Sequence, residues 1–328
     1  MASRILRLIL SVFLLSPIAV RSAESSSQEP LPELETFVVI GEQPGPALWK
    51  VTRKDHTLWI LPTYGPLPAQ LTWKSRQVED VIRSSQEVYA LAQIPVEQPE
   101  DLKGRTQMFK AVMNVDGKAL VEVMPAELHQ RFVQLSQRYA GGSAPFERFR
   151  PFQAVDMLQD AAMNRLQLTS DGGVHDTVRW LANRYGAKFM TFKPLRSSAW
   201  EKLIADLEKT PREADMACAA ARMDRLESDL RDAVDRANAW ARGDLSELRR
   251  DVGLLNGGPD MVVCRQFFQH MKSVRQALQT MRKNSYAAYG RALKKNRSTL
   301  VLISIGDLFD ADGLLAMLKK DGYQIEEP

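Results

Sequence analysis

Residues Leu58 to Trp73, LWILPTYGPLPAQLTW, decide the fold. The first four are apolar and predict a buried strand, which Pro62 and the Gly65-Pro66 pair end. Beyond the loop, Val78, Val81 and Ile82 recur at the spacing of one helical face. The predicted order is therefore strand, loop and helix. Ligands usually bind at such loops in α/β folds, because backbone groups at the carboxyl end of a strand are free.

Further blocks of sequence accompany this stretch along the chain. They are LWKV at Leu48 to Val51, WKS at Trp73 to Ser75, WARGDL at Trp240 to Leu245, and a closing set of Leu300 to Ile305, Asp312 to Leu315 and Gly322 to Ile325. In this order they resemble the TraB/GumN/PrgY/Tiki family. The resemblance and the order of predicted elements both imply an α/β (α+β) fold, a mixed central β-sheet flanked by helices with a helical insertion.

The resemblance also implies a site, from which this chain departs. Family members thought to be active carry two G-x-x-H motifs, with acidic residues on neighbouring strands, and are described as metal-dependent proteases or related hydrolases. The motifs correspond to Pro62–Gly65 and Ser304–Asp307, so glycine and aspartate replace the histidines. The expected acids, near Leu91 and Lys193, are absent too. Losing both imidazoles and at least one carboxylate should remove a divalent metal site.

We therefore predict an exported, catalytically inactive relative without a cofactor, which acts by binding a peptide, a glycan or an envelope component. The alternative is a hydrolase or protease, dependent on a divalent metal, whose site is rebuilt from Tyr64, His175, Asp307 or Asp310. A scaffold without any small ligand is the third hypothesis. Three or more ligands converging on one point would favour the enzyme.

Acidic residues cluster in one loop, at Asp307, Asp310 and Asp312. Such oxygen ligands can hold Ca²⁺ or Mg²⁺, but the remaining ligands of a calcium loop are missing. Acids just before a helix are also stabilised by capping and by the helix macrodipole, and we predict capping here. His175 is the one histidine worth testing as functional, and a helix-start residue with no partner is the simpler explanation for it.

The N-terminus predicts export. Arg4 and Arg7 precede an apolar run, Leu8 to Val20, with small residues after it, so residues 1–22 are expected to be a signal peptide. We place the mature chain in the periplasm or outside the cell, without a transmembrane span; an uncleaved signal anchor is the alternative. Losing Arg4, Arg7 and Arg21 lowers the net charge from +4 to near +1, which gives no support for nucleic-acid binding. The oligomeric state is left open.

Residues 23–47 are expected to form a flexible spacer, with an edge strand at Thr36 to Gly41, and residues 48–328 one domain. Within it we predict a hairpin turn at residues 54–56. A T-x-x-E capping box at residues 210–213 predicts a long helix running toward Trp240, with its charges solvated. Separate helices are predicted over residues 260–281 and 284–293.

Two smaller motifs receive structural interpretations. In WARGDL, Gly243 can end one helix and Asp244 can cap the next, without any catalytic role. Cys218 and Cys264 are the two cysteines, and an even count in an exported protein predicts a disulfide between two helices of the insertion. Buried free cysteines are the alternative.

Overall fold

The computed structural model describes residues 45–69, 71, 73, 75–92, 99, 101–192, 199–250 and 259–328. The predicted signal peptide, the predicted edge strand and Lys193 lie outside these residues. Gly45, Pro46 and Ala47, which the sequence assigned to the spacer, are buried.

Eight described strands form two sheets. They are β1 (Trp49–Arg53), β2 (His56–Thr63), β3 (Leu67–Pro68), β4 (Glu87–Tyr89), β5 (Leu168–Thr169), β6 (Lys188–Met190), β7 (Ser298–Ser304) and β8 (Gln324–Glu326). The main sheet has the order β6-β4-β7-β2-β1-β8, and β3 pairs with β5 in a small second sheet. Strands β6, β4, β7 and β2 are parallel, whereas β1 runs antiparallel to both β2 and β8. The predicted mixed sheet is confirmed.

Helices account for most of the described chain. Before β7 they are Arg76–Ser84, Leu102–Val112, Leu120–Val123, Ala126–Ala140, Pro151–Arg165, Val174–Tyr185, Ala199–Lys209, Arg212–Arg231, Ala233–Arg242, Pro259–Gln269 and Lys272–Lys295; after it they are Ile305–Phe309 and Leu314–Lys320. Residues 245–250 are also helical. Within the described part of the chain, no helix is both long and apolar enough to cross a bilayer.

The sheet has two covered faces because side chains alternate along each strand. On the front face, Leu61 packs with helices Arg76–Ser84, Val174–Tyr185 and Ala233–Arg242. On the back face, Leu58 and Ile60 pack with Lys272–Lys295 and Leu314–Lys320. A third core lies in the helical insertion, built from residues 112–168, 203–233 and 264–274. Because β2 is buried on both faces, its apolar run was readable from sequence.

Two helix predictions are wrong. The Thr210 hydroxyl donates to the main-chain O of Asp206 at 2.8 Å, so it belongs to the preceding helix and caps nothing after it. The predicted long helix breaks at Asp232. Arg236, expected in solvent, is buried and donates to the main-chain O of Asp229 at that break.

The predicted helix over 260–281 also breaks, at residues 270–271, and the next helix continues without interruption from Lys272 to Lys295. Its first turn is capped by Asp206, whose Oδ2 accepts from the Ser273 N–H at 2.6 Å. This cap comes from another helix, so no local pattern announces it. The predicted disulfide is present, with Cys218 and Cys264 Cα atoms 4.5 Å apart.

Candidate functional site

The candidate site lies at the carboxyl ends of β2 and β7. Thr63 and Ser304 are opposite one another there, whereas β4 ends earlier, with Tyr89 opposite Val301, three residues before Ser304. A cavity of about 30 Å³ opens here on the back face, room for about two water molecules. Its wall includes Leu91, Arg282, Tyr289, Asp307 and Met317. The two motif loops lie side by side here, because β2 and β7 are parallel neighbours and such strands bring their loops to one edge of the sheet.

Asp307, at the second histidine position, faces a cation. The Arg282 Nη2 donates to Asp307 Oδ1 at 2.8 Å and to Asp310 Oδ2 at 3.1 Å. Ser304 is the N-cap of the Ile305–Phe309 helix: its Oγ accepts from the Asp307 N–H at 3.1 Å and donates to Asp307 Oδ2 at 3.2 Å. Both carboxylate oxygens of Asp307 are therefore engaged, and its side chain is only 13% exposed.

The charges of this cluster support one another. Burial by itself lowers the pKa of Arg282, but the hydrogen bonds and charges of Asp307 and Asp310 outweigh it, so its pKa is raised. For Asp310 burial alone would raise the pKa; the N–H of Asp312 and the charge of Arg282 prevail and hold it below its usual value. Burial, with Asp307 nearby, raises the pKa of the Tyr289 phenol. Arg282 and Asp310 therefore keep their charges near neutral pH, and the Tyr289 phenol stays neutral.

The three loop acids do not converge as ligands. Asp310 accepts from the Asp312 N–H through Oδ1 at 2.9 Å, and Asp312 contributes that N–H while its side chain is exposed. Asp310 thus closes a turn ahead of the Leu314–Lys320 helix, whose N-cap Gly313 has no side-chain cap, so the capping prediction misses both this turn and the pairing of Asp307 with Arg282. In the described part of the chain, no three His, Cys, Asp or Glu side chains are placed to hold a metal ion. The residues described here therefore do not fit a divalent cation.

Gly65, at the first histidine position, has another constraint. A Cβ built on it would lie 1.9 Å from the main-chain O of Ser170. The approach arises because β3, which follows Gly65, pairs with β5 just before Ser170. Such a distance excludes any side chain unless the backbone moves, so the glycine is required by packing.

The other candidates belong to the front face. Tyr64 is 4% exposed and packs in the front core. His175 lies in the first turn of the Val174–Tyr185 helix; its Nδ1 is 3.3 Å from Asp176 Oδ1, and its ring contacts Phe189. The expectation that His175 lacks a partner is therefore wrong. The structure brings Asp307 and Asp310 together through Arg282, and the back-face cavity is lined by Asp307 but by neither Tyr64 nor His175.

Sequence reasoning missed Arg282 and Tyr289. The helix was predicted to stop at residue 281. The basic pair Arg282-Lys283 that follows therefore resembled a solvated helix end. A continuous helix places residues 282 and 289, seven apart, on one face with Ser285. The signal was the absence of any helix breaker between Met281 and Asn284.

The WARGDL block makes a hydrogen bond to the segment Pro62–Gly65, which carries the first motif position. Trp240 is fully buried; its Nε1 donates to the Pro62 main-chain O at 2.8 Å, and its ring meets Trp73 edge-on at 5.1 Å. Gly243 ends the helix with φ of 67°, and Asp244 Oδ1 accepts from the Glu247 N–H at 3.1 Å. The structural interpretation is confirmed for Gly243 and Asp244. The tie between Trp240 and Pro62 was not predicted.

Replacing Trp240 with Phe should destabilise the protein by about 1–3 kcal/mol, because the buried Pro62 oxygen loses its donor. Denaturant unfolding of the purified protein measures this. Trp180→Phe is the matched control, since Trp180 is 57% exposed, and it should change stability by less than about 0.5 kcal/mol. Equal stability of the two variants would show that the hydrogen bond contributes nothing.

The mixed sheet is covered on both faces by helices, which defines an α/β protein. Its candidate site lies at the carboxyl ends of parallel strands, where such proteins usually bind ligands. The chain belongs to the TraB/PrgY/gumN family, whose model matches residues 47–327. Searches of curated proteins and of solved structures found no match.

Proposed function

We propose that this family member is exported and acts by binding, without metal-dependent hydrolysis. The observation that carries the proposal is the ion pair of Asp307 with Arg282, at the position where the family motif has a histidine. A guanidinium takes the lone pairs that a metal would need. The binding partner is expected to be a peptide, a glycan or another envelope component.

Electrostatics supports this proposal. At 4 Å, two unit charges in a partly buried site interact by about 4 kcal/mol, so a dication beside Arg282 would meet repulsion of roughly twice that. Arg282 is fixed by Asp307 and Asp310, and its Nε is buried without a hydrogen-bond partner among the described residues. Displacing it would leave two carboxylates without their cation. The ion pair and a metal at this place exclude one another.

The first test measures metal binding and turnover on purified mature protein. We expect no stoichiometric Mn²⁺, Co²⁺ or Zn²⁺ after dialysis and no metal-dependent cleavage of a peptide library. Arg282→Gln, which frees Asp307, is the informative variant: weak metal binding to it alone would support the ion pair as the barrier. One equivalent of metal on the unaltered protein, lost in Asp307→Ala, would overturn the proposal, as would metal-dependent turnover.

Restoring the histidines should not restore hydrolysis. In the Gly65→His, Asp307→His double variant the imidazole at residue 65 starts from a Cβ 1.9 Å from the Ser170 oxygen, so the loop must shift. We expect no peptide hydrolysis and, from Gly65→His alone, destabilisation of at least about 1–3 kcal/mol by denaturant unfolding. Gly290→His is the control, because a Cβ there meets no heavy atom within 4 Å. Robust hydrolysis by the double variant would contradict the proposal.

A further inference from the structure

The helix Lys272–Lys295 is unusual in charge. Its sequence, KSVRQALQTMRKNSYAAYGRALKK, contains seven lysines and arginines and no acidic residue. Arg282 points inward to Asp307, and Lys295 lies 3.7 Å from Glu87. The other five project to solvent. We call them the cationic stripe: Lys272, Arg275, Lys283, Arg291 and Lys294.

Among the described residues, the stripe has no counter-ions of its own, because no carboxylate lies within 4.0 Å of any of its five cations. Three arginines on other helices differ from the stripe: Arg131 pairs with Asp224, Arg138 with Glu227 and Arg231 with Asp232. Repulsion among aligned cations costs stability, and an external anion would relieve it.

The shape of the stripe restricts the partner. A helix of 24 residues is about 36 Å long, and the exposed positions between its cations are polar or small, such as Gln276, Gln279 and Ala287. The apolar face of the helix is already buried in the protein. The stripe therefore offers charge along a line, without apolar side chains to insert into a bilayer.

The flank of the stripe carries negative charge. Asp321 accepts a hydrogen bond from Tyr286 on this helix, Asp310 contacts Arg282, and Asp312 is exposed next to them. A planar anionic membrane would be brought against these acids as well as against the stripe, whereas a thin chain lying along the helix would avoid them. The one aromatic side chain between Lys283 and Arg291 that is not buried is Tyr286, which is partly buried and hydrogen-bonded to Asp321, so a series of stacked bases has no platform.

We propose that the cationic stripe binds a linear anionic polysaccharide, through its carboxylate or sulfate groups, along the outer face of the Lys272–Lys295 helix. The surface is separate from the back-face cavity, because only Arg282 of this helix's cations points inward. The proposal therefore does not depend on whether the cavity binds a ligand.

The test uses the full mature protein with fluorescently labelled polygalacturonate and heparin, followed by anisotropy at several salt concentrations. Lys283→Gln, Arg291→Gln, Lys294→Gln in one chain should weaken binding by about tenfold or more at low salt and reduce the slope of log affinity against log salt by about two. The control triple Arg131→Gln, Arg138→Gln, Arg231→Gln removes the same charge from paired sites and should stay within about twofold of the unaltered protein.

Three outcomes would overturn the proposal. Equal losses in both triples would mean that net charge alone attracts the polymer. Tighter binding to vesicles of anionic phospholipid, or to single-stranded DNA, would assign the stripe to a membrane or to nucleic acid. Failure of the unaltered protein to bind either polysaccharide at low salt would also refute it. Circular dichroism of both triples checks folding; all replaced side chains are exposed or partly exposed, so both should fold.

Discussion

Replacing Asp215 with Ala is expected to destabilise the protein by about 3–5 kcal/mol, because it strands a buried cation. Arg150 Nε donates to Asp215 Oδ2 at 2.7 Å, and the Phe152 N–H donates to Oδ1 at 2.7 Å. The Asp215 side chain is 2% exposed and that of Arg150 16%. Removing the carboxylate takes away the counter-charge of Arg150 and the acceptor of its Nε and of the Phe152 N–H, while the Arg150 Nη atoms keep the main-chain O atoms of Leu207 and Thr210. Denaturant unfolding measures the loss.

The matched variant replaces both charges, as Arg150→Met with Asp215→Leu. Burial raises the pKa of Asp215, and Arg150 and the Phe152 N–H only partly oppose it. The carboxyl of Asp215 therefore binds its proton more tightly in the folded protein than in the unfolded chain, so its ionisation opposes folding. The unfavourable contribution of Asp215 to the free energy of folding should decrease as pH falls through its raised pKa. Apolar replacement of both partners should consequently be less destabilising than Asp215→Ala. If the double variant is less stable than Asp215→Ala, the ion pair itself stabilises the fold.

Those parts of the fold that depend on local pattern were predictable. The apolar run of β2 and the hairpin around residues 54–56 follow from neighbouring residues, and both are present. The resemblance supplied the order of the sheet's elements. Helix ends were predicted less well, because Asp206 caps a helix 67 residues further on. Tertiary caps of this kind leave no local signature.

The candidate site, like the fold, was predictable only in the parts that depend on local sequence or on the family motifs. Its place at the ends of β2 and β7 followed from strand, loop and helix order, and the missing histidines followed from the family motifs. The contacts that Gly65 and Asp307 make at those two positions could not be predicted from the sequence. The main-chain O of Ser170 leaves no room for a side chain at Gly65, because β3 pairs with β5. Arg282 hydrogen-bonds to Asp307, which lies 25 residues further along the chain. Both contacts depend on how separate elements pack.

The distribution of charge on the Lys272–Lys295 helix is a further feature that short stretches of sequence did not predict. Short basic runs at residues 282–283 and 294–297 resembled ordinary solvated helix ends when read separately. Only the continuous helix aligns Lys283, Arg291 and Lys294 on one face and turns Arg282 toward the cavity. One helix thus divides its cations between an internal ion pair and an external surface.

The disulfide should contribute the other large effect. Cys218 and Cys264 are 46 residues apart and join the helices Arg212–Arg231 and Pro259–Gln269. By the loop-closure model, a ring of that size destabilises the unfolded chain by about 4 kcal/mol. Both cysteines are buried, at 0% and 3% exposure, so the bond also lies within the core of the insertion.

The Cys218→Ala, Cys264→Ala variant is therefore expected to lose about 4 kcal/mol and, in a domain of this size, to melt roughly 8–16 °C lower. Calorimetry gives the melting temperature. Hydrogen exchange should show the largest loss of protection in the Arg212–Arg231 helix, because the bond restrains the insertion rather than the sheet. Thiol labelling of the unfolded, unreduced protein is the independent check, and two labels per chain would show that the bond does not form. A melting temperature within about 2 °C of the unaltered protein would show that packing of Leu226 and Phe267 holds these helices without it.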